Sequence, residues 1–485
     1  MSAHDDVQLA SGPQGAEQLG ALLGVALRGM ENGILERGGP LPAGGPAVVA
    51  AALAAAGGGT GRLPREGVGE ERALEEMSRL LGLGSADPAH PLCAAHLVCS
   101  SLAVSVAADV VASALNPSMD VWELAPMASE IERDFTTGIA GLCYPAEPSP
   151  DAVVTSGGTE SNLLALLLAR TLLGADLRVV CGANAHHSVT RAAWILGLPT
   201  PVVVACEDDR MVPAALEAAL EPLGSSTLVV ATAGTTNTGR IDPLPEIAGL
   251  CRRFGVRLHV DAAYGGLALC SEELSRLLEG IELADSVTLD MHKFGWQSIA
   301  AGLLAMRDAG DLGALQISAD YINASDDVDA GLPDLLGRSI WTSRRADAFR
   351  MAVTVSALGT NGIGRLVEHC CTTAQEVAAQ IDRHPGLRLW KSPSLSTVLF
   401  RPTVLDDLPI TAGDALVGRI RRELLAGGTA IVGRAALPDE EDGQRKLWLK
   451  LTLLHPNASG ADYGPLLDQI VAVAAEEQAV LVESR

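Results

Sequence analysis

Between residues 150 and 290 the hydrophobic positions fall into short, nearly unbroken runs separated by longer amphipathic stretches. Ala152–Thr155, Arg178–Cys181, Pro201–Ala205, Thr227–Thr232, Val256–Val260 and Ser286–Leu289 have the length of strands. Between them, Asn162–Leu173, Pro213–Leu220 and Leu244–Phe254 are suited to helices. Apolar strands alternating with helices predict βαβ units and a mainly parallel sheet.

The pattern differs at both ends. The first ninety residues are rich in Ala and Gly, and Gly38-Gly39-Pro40 and Gly44-Gly45-Pro46 interrupt any long helix. Helices are expected there around 16–36, 46–56 and 70–82. The apolar runs Ala47–Ala56 and Val98–Ala114 read as core helices, the first too short to span a bilayer and the second broken by Asp109 and serines. Beyond residue 360, Thr397–Phe400 and Lys446–Leu453 read as strands, and Asp414–Leu425 and Asp462–Val480 as helices. The expected division is a helical segment over 1–90, a large α/β domain over 91–360 and a smaller α+β domain over 361–485.

Composition narrows the function. The chain has 485 residues, 48% of them hydrophobic, and a formal net charge of -24, which argues against a nucleic-acid partner. Nine cysteines without a C-x-x-C pair suggest reduced, mostly buried thiols and no zinc site. The acidic start Met1-Ser2-Ala3-His4-Asp5-Asp6 lacks the pattern of a secretory signal, so a cytoplasmic location and no membrane partner are expected.

Several motifs stand at the ends of the expected strands. Thr155-Ser156-Gly157-Gly158-Thr159-Glu160-Ser161-Asn162 follows one and opens a helix, an arrangement suited to a phosphate, although a lone Gly-Gly is usually an ordinary turn. His186, in Ala185-His186-His187-Ser188-Val189, can lie on a cofactor ring, or simply cap a helix. The His-His pair has no further ligands at metal spacing, so no metal is expected. Ala233-Gly234-Thr235-Thr236-Asn237-Thr238-Gly239 and Asp242 offer polar groups that are equally at home in a plain turn. Asp261 and Lys293 each close or follow an apolar run and lie 32 positions apart. A Lys that forms a Schiff base and a buried carboxylate that keeps a pyridine nitrogen protonated are what pyridoxal phosphate (PLP) requires.

Taken in order, His90-Pro91, Asn116-Pro117-Ser118-Met119-Asp120, His259-Val260-Asp261-Ala262-Ala263-Tyr264, Asp290-Met291-His292-Lys293 and Ser343-Arg344-Arg345 resemble the group II PLP-dependent amino-acid decarboxylases of fold-type I. The resemblance covers residues 90 to 370. It implies a large domain with a mainly parallel seven-stranded sheet, a smaller C-terminal domain and a homodimer with interfacial active sites. It makes Lys293 the Schiff-base residue, Asp261 the partner of the ring nitrogen, and His186 and Ala263 the neighbours of the two ring faces. Gly157, Gly158, Thr159, Asp290 and His292 match phosphate-holding positions, and Thr236 and Asp242 match polar neighbours of the ring. Met291 and Thr159 stand where the family more often has Pro and Ser.

Tyr321, in Ala319-Asp320-Tyr321-Ile322-Asn323, matches the mobile-loop Tyr and is the expected proton donor after loss of CO2. Phe is typical there in related aldehyde synthases. Leu92-Cys93-Ala94-Ala95-His96 has none of the aromatic residues that line this stretch in the aromatic branch. An aliphatic substrate with a basic or acidic side chain is therefore expected, nearer the diaminobutyrate and lysine branch. The alternatives are an aromatic amino-acid decarboxylase, an aldehyde synthase, an aminotransferase or desulfurase on the same fold, and a non-catalytic regulator, though a regulator would be expected to lack Lys293 or His186. A nicotinamide enzyme is excluded by the lack of a G-x-G-x-x-G turn.

Overall fold

A computed structural model of the chain describes residues 9–317, 322–323, 325–439 and 443–483. They divide into two compact units. The larger comprises Leu97–Glu376 and Ser392–Val398. Its sheet contains β1 (Asp151–Thr155), β2 (Arg178–Gly182), β3 (Val202–Val204), β4 (Thr227–Thr232), β5 (Arg257–Asp261), β6 (Ser286–Asp290) and β7 (Gly302–Met306). The spatial order is β1-β7-β6-β5-β4-β2-β3. Strands β2 to β6 run parallel, and β7 lies antiparallel between β6 and β1.

Six of the seven strands are the six apolar runs of the sequence. The seventh, Gly-Leu-Leu-Ala-Met, lacks β-branched residues and gives no strand signal of its own. It is extended because strands on both edges satisfy its backbone, with Gly302 paired to both Thr155 and Asp290. All five of its residues are buried.

Helix α1 (Gly158–Leu173) follows the glycine turn and is apolar on several faces because it is packed on several sides. Leu164 and Leu168 join Val153, Leu304 and Met306, while Leu166 and Ala169 join Val179, Val189 and Val230. Each of these leucines is at most 1% exposed, worth roughly 1.5–3 kcal/mol of burial apiece. Helix α2 (His187–Ile195) follows β2 and packs against α1.

The sheet carries one polar stripe. In β5 the period of two puts His259 and Asp261 on one face and Leu258 and Val260 on the other. His259 pairs with Ser286 and Asp261 with Thr288 across the β5–β6 ladder, so Ser286, Thr288 and Asp290 share that face. All five polar residues are buried.

The smaller unit gathers the chain up to His96, Val377–Lys391 and the chain from Leu399 onward. Its sheet has five strands in the order Cys93–Ala94, Ile431–Pro438, Arg445–Thr452, Thr397–Pro402 (of which Leu399 onward lies in this unit), Leu387–Leu389. The helices Ile410–Ala426 and Gly464–Glu483 accompany this sheet. The N-terminal helices Gly15–Arg37, Gly45–Ala55 and Glu70–Gly84 belong to the same unit.

Three expectations change. The first ninety residues cluster with the C-terminal part, because Cys93–Ala94 pairs in parallel with Ile431–Val432. The texture change near residue 360 marks a kink at Gly359 (φ 67°) inside Asp347–Arg383, and the division between units falls later, after Glu376. The helix Gly45–Ala55, expected in a core, has no buried residue. Among the described residues no helix is long and apolar enough to cross a membrane.

Candidate active site

The carboxyl ends of β1, β5 and β6 bring most of the expected site residues together. Lys293 lies three residues beyond β6, and its Nζ is 2.9 Å from Asp290 Oδ2. The same carboxylate oxygen is 3.4 Å from His292 Nε2. Burial, the dominant influence, holds His292 below the usual histidine range against the opposing pull of Asp290. The backbone after Lys293 is pinned from the segment before the helix Ala103–Leu115. The Cys99 thiol donates to the carbonyls of His292 (3.3 Å) and Lys293 (3.1 Å), and Leu102 N–H donates to Trp296 O (2.9 Å). Burial pushes the Cys99 thiol up to about 12, so it acts as a neutral donor.

The glycine turn faces this group. A Cβ on Gly157 would stand 2.8 Å from His292 Cε1, and one on Gly158 would stand 2.9 Å from Ala263 Cβ and 3.3 Å from Asp290 Oδ2. Gly157 has φ 150°, which disfavours a side chain independently. Thr159 is exposed in the first turn of α1. The turn is braced by Glu160, which accepts from Ser156 N (2.7 Å) and from Trp341 Nε1 (2.7 Å).

Asp261 is held from two sides: Oδ1 accepts from Ala263 N (3.1 Å) and Oδ2 from Asn162 Nδ2 (2.8 Å). Asn162 continues the chain of contacts to Ser188 Oγ (2.9 Å), His259 Nε2 (3.0 Å) and Thr288 Oγ1 (3.0 Å). Ser188 Oγ in turn lies 2.9 Å from His186 Nδ1. His186 is the N-cap of α2 and is half-buried. Burial lowers its pKa, with Asp261 and Asp290 opposing and His187 and Lys293 adding to the effect. The ring is therefore electrostatically coupled to Asp261, Lys293 and Asp290.

The remaining expected residues stand differently. Asp242 is buried, and its oxygens accept from Asn184 Nδ2 (2.8 Å), Met211 N (2.7 Å) and Thr232 N (2.8 Å). It ties down the end of β4 and the loop that follows, and burial raises its pKa. Thr236 is exposed in that loop. Tyr321 lies outside the described residues.

Asn162, Ser188, His259 and Thr288 carry no functional signal of their own in the sequence, although each stands in or beside a motif that does. The missed signal is polarity at alternate positions of fully buried strands, matched by Asn162 one turn into an apolar helix.

The fit of a phosphorylated pyridine is tested by the glycine turn. Gly157 and Gly158 leave space that a Cβ would fill, at the start of a helix whose free N–H groups suit a phosphate, and Lys293 and the buried Asp261 stand beside it. The turn, the amine and the carboxylate agree with PLP. No group of side chains able to hold a metal ion is found among the described residues.

Residues 62–403 match the pyridoxal-dependent decarboxylase conserved domain. The chain belongs to this family. It is 39% identical over 426 residues to the L-2,4-diaminobutyrate decarboxylase of Rhizobium meliloti, covering 85% of this chain and 84% of that one. The L-2,4-diaminobutyrate decarboxylase of Acinetobacter baumannii is 33% identical over 84% of this chain and 85% of that one. Among solved structures, the glutamate decarboxylase domain of diaminobutyrate-pyruvate transaminase and L-2,4-diaminobutyrate decarboxylase from Vibrio parahaemolyticus superimposes with a TM-score of 0.83 at 28% identity. That match covers 97% of this chain and 98% of that one. The expected fold-type I architecture, cofactor and enzyme class hold: the chain is a PLP-dependent amino-acid decarboxylase nearer the diaminobutyrate branch than the aromatic one.

Proposed function

We propose that this chain removes the α-carboxylate of a short aliphatic L-amino acid with a cationic side chain, of the 2,4-diaminobutyrate class. The observation that carries the site assignment is the Lys293 amine held at 2.9 Å by a buried Asp290 that has a second, unpartnered oxygen. Lys293 would supply the amine that holds the cofactor, and Asp261 would keep a proton at its ring nitrogen. His186 and Ala263 would flank the ring. Gly157, Gly158 and Thr159 would offer the phosphate the start of α1, with His292 and Asp290 at that end. Asp242 fixes the loop that carries Thr236.

Bound there, PLP supplies the electron sink for the bond broken at Cα. The protein's own part is to orient the substrate carboxylate for departure, exclude water and return a proton to Cα. Tyr321 is assigned that last step.

The substrate class is supported by the two diaminobutyrate decarboxylases and by the chain's 3% aromatic content. A second reading, an acidic substrate, is favoured by 34% identity to the mouse acidic amino acid decarboxylase GADL1 over 61% of this chain. Incubating the PLP-loaded enzyme with an amino-acid panel and identifying amines by mass spectrometry decides between them. 1,3-Diaminopropane from 2,4-diaminobutyrate is the expected product; preferential release of β-alanine, γ-aminobutyrate or hypotaurine would replace the proposal by the acidic reading.

A homodimer in the cytoplasm, with no nucleic-acid or membrane partner, completes the reading. Leu27, Leu35, Val48, Met77 and Leu81 of the N-terminal helices are exposed, apolar surface that a second copy would cover. Nine free thiols suit a reducing compartment.

A further inference from the structure

The buried contacts of Asn162 account for every hydrogen-bonding position of its amide. Asp261 Oδ2 only accepts, so the Nδ2 group must face it; the second Nδ2 hydrogen goes to Ser188 Oγ. Asn162 Oδ1 then faces His259 Nε2 and Thr288 Oγ1, both of which must donate. With Asn162 donating to it, Ser188 Oγ has its single hydrogen free for His186 Nδ1, at 2.9 Å. Ser188 N–H approaches the same nitrogen at 3.4 Å. The backbone N–H already uses Nδ1 as an acceptor, so the Ser188 hydroxyl is placed to donate to it as well, and Nδ1 has no place for a proton.

We propose that Asn162 is a positioning residue that orients Asp261 directly and, through Ser188, fixes His186 as the tautomer protonated at Nε2. One amide therefore sets both the carboxylate assigned to the ring nitrogen and the imidazole assigned to the ring face. Protonating Nδ1 would break two hydrogen bonds and place a cation near Lys293. His186 is kept as a neutral ring that offers an N–H at Nε2 without competing with Lys293 or the substrate amine for negative charge. His259 is set by the same logic: Nε2 donates to Asn162, and Nδ1 accepts from Ser286 Oγ at 2.8 Å. The charged and titratable groups acting on His186 are Asp261, Asp290, Lys293 and His187.

The proposal rests on the assignment of His186 and Asp261 to the cofactor, and its test is arranged to be separable from that assignment. Full-length chain labelled with 15N-histidine is recorded with and without PLP across a pH series; His186 is assigned among the ten histidines by loss of its signals in His186→Asn. The expected spectrum shows an unprotonated Nδ1 and a protonated Nε2, already in the cofactor-free chain. Ser188→Ala removes the hydroxyl that links Asn162 to the ring and leaves the backbone N–H of that position, at 3.4 Å, as the weaker donor to Nδ1. It should give a tautomer mixture and a higher His186 midpoint while cofactor absorbance remains. Asn162→Asp removes both Nδ2 donors and sets a carboxylate against Asp261. PLP affinity should then fall about tenfold or more, on the scale of a lost hydrogen bond to a charged group. A wild-type His186 protonated at Nδ1, or a spectrum unchanged in Ser188→Ala, would overturn the proposal even if amine is formed. Absence of PLP binding with the expected tautomer pattern intact would overturn the functional assignment alone.

Discussion

His259 makes the stability of the site depend on pH in a calculable way. Complete burial pushes its pKa from 6.5 down to about 4, with Asp261 acting in the opposite direction. A depressed histidine contributes stability that is fully present above the unfolded value and is lost as pH falls toward the folded one. In the unfolded chain the ring takes up a proton near 6.5; in the folded chain it stays neutral until about 4. By about pH 4.5 that difference amounts to roughly 2–3 kcal/mol of lost stability, and at about pH 7.5 it is close to zero. His259→Gln keeps a donor toward Asn162 Oδ1 and removes the titrating group. Urea unfolding of both proteins at about pH 7.5 and about pH 4.5, alongside PLP absorbance, measures the effect. The variant should lose about 2–3 kcal/mol less than wild type on acidification, although it is the less stable protein at neutral pH. Equal losses in the two proteins would refute the buried, neutral assignment of His259.

Borohydride reduction of the PLP-loaded enzyme followed by peptide mapping should place the pyridoxyl group on Lys293, and a label on any other lysine would refute its assignment. Gly158→Ala, whose Cβ would stand 2.9 Å from Ala263 Cβ, should weaken PLP binding by about 1–3 kcal/mol, as overpacking does; a fluorescence titration with unchanged affinity contradicts that geometry. Tyr321→Phe should bind substrate normally and slow amine formation by about 10²–10⁴-fold, with aldehyde among the products. Light scattering should give twice the chain mass at assay concentrations, and an active monomer would remove the second copy from the reading.

Legibility in the sequence follows how local the cause is. Runs such as Thr227–Thr232 and helices such as Pro213–Leu220 and Leu244–Phe254 carry their own signal and appear at their expected bounds. Gly302–Met306 does not, because its partners are Asp151–Thr155, some 150 positions earlier, and the adjacent β6. The same distinction runs through the site. Asp261, Lys293 and the glycine turn stand at the ends of recognisable elements, whereas the role of Asn162 exists only once α1 lies across the β5 and β6 ladder. Asp242 shows the reverse. The resemblance makes it a ring neighbour, and its geometry adds what no motif shows: two bonds from the backbone N–H groups of Met211 and Thr232 and one from the Asn184 side chain.

The position of β7 bears on how the enzyme comes into being during synthesis. Strand β1, first of the seven to leave the ribosome, has a single neighbour in the finished sheet, and that neighbour is the last strand made. Until Met306 has emerged, the glycine turn has no ladder joining it to the strand that ends at Asp290. Pairing β1 with β7 joins segments about 150 residues apart, a contact of high sequence separation that is slow to form. Completion of the cofactor site therefore waits on the last strand made, and nascent chains stopped short of β7 should capture no PLP.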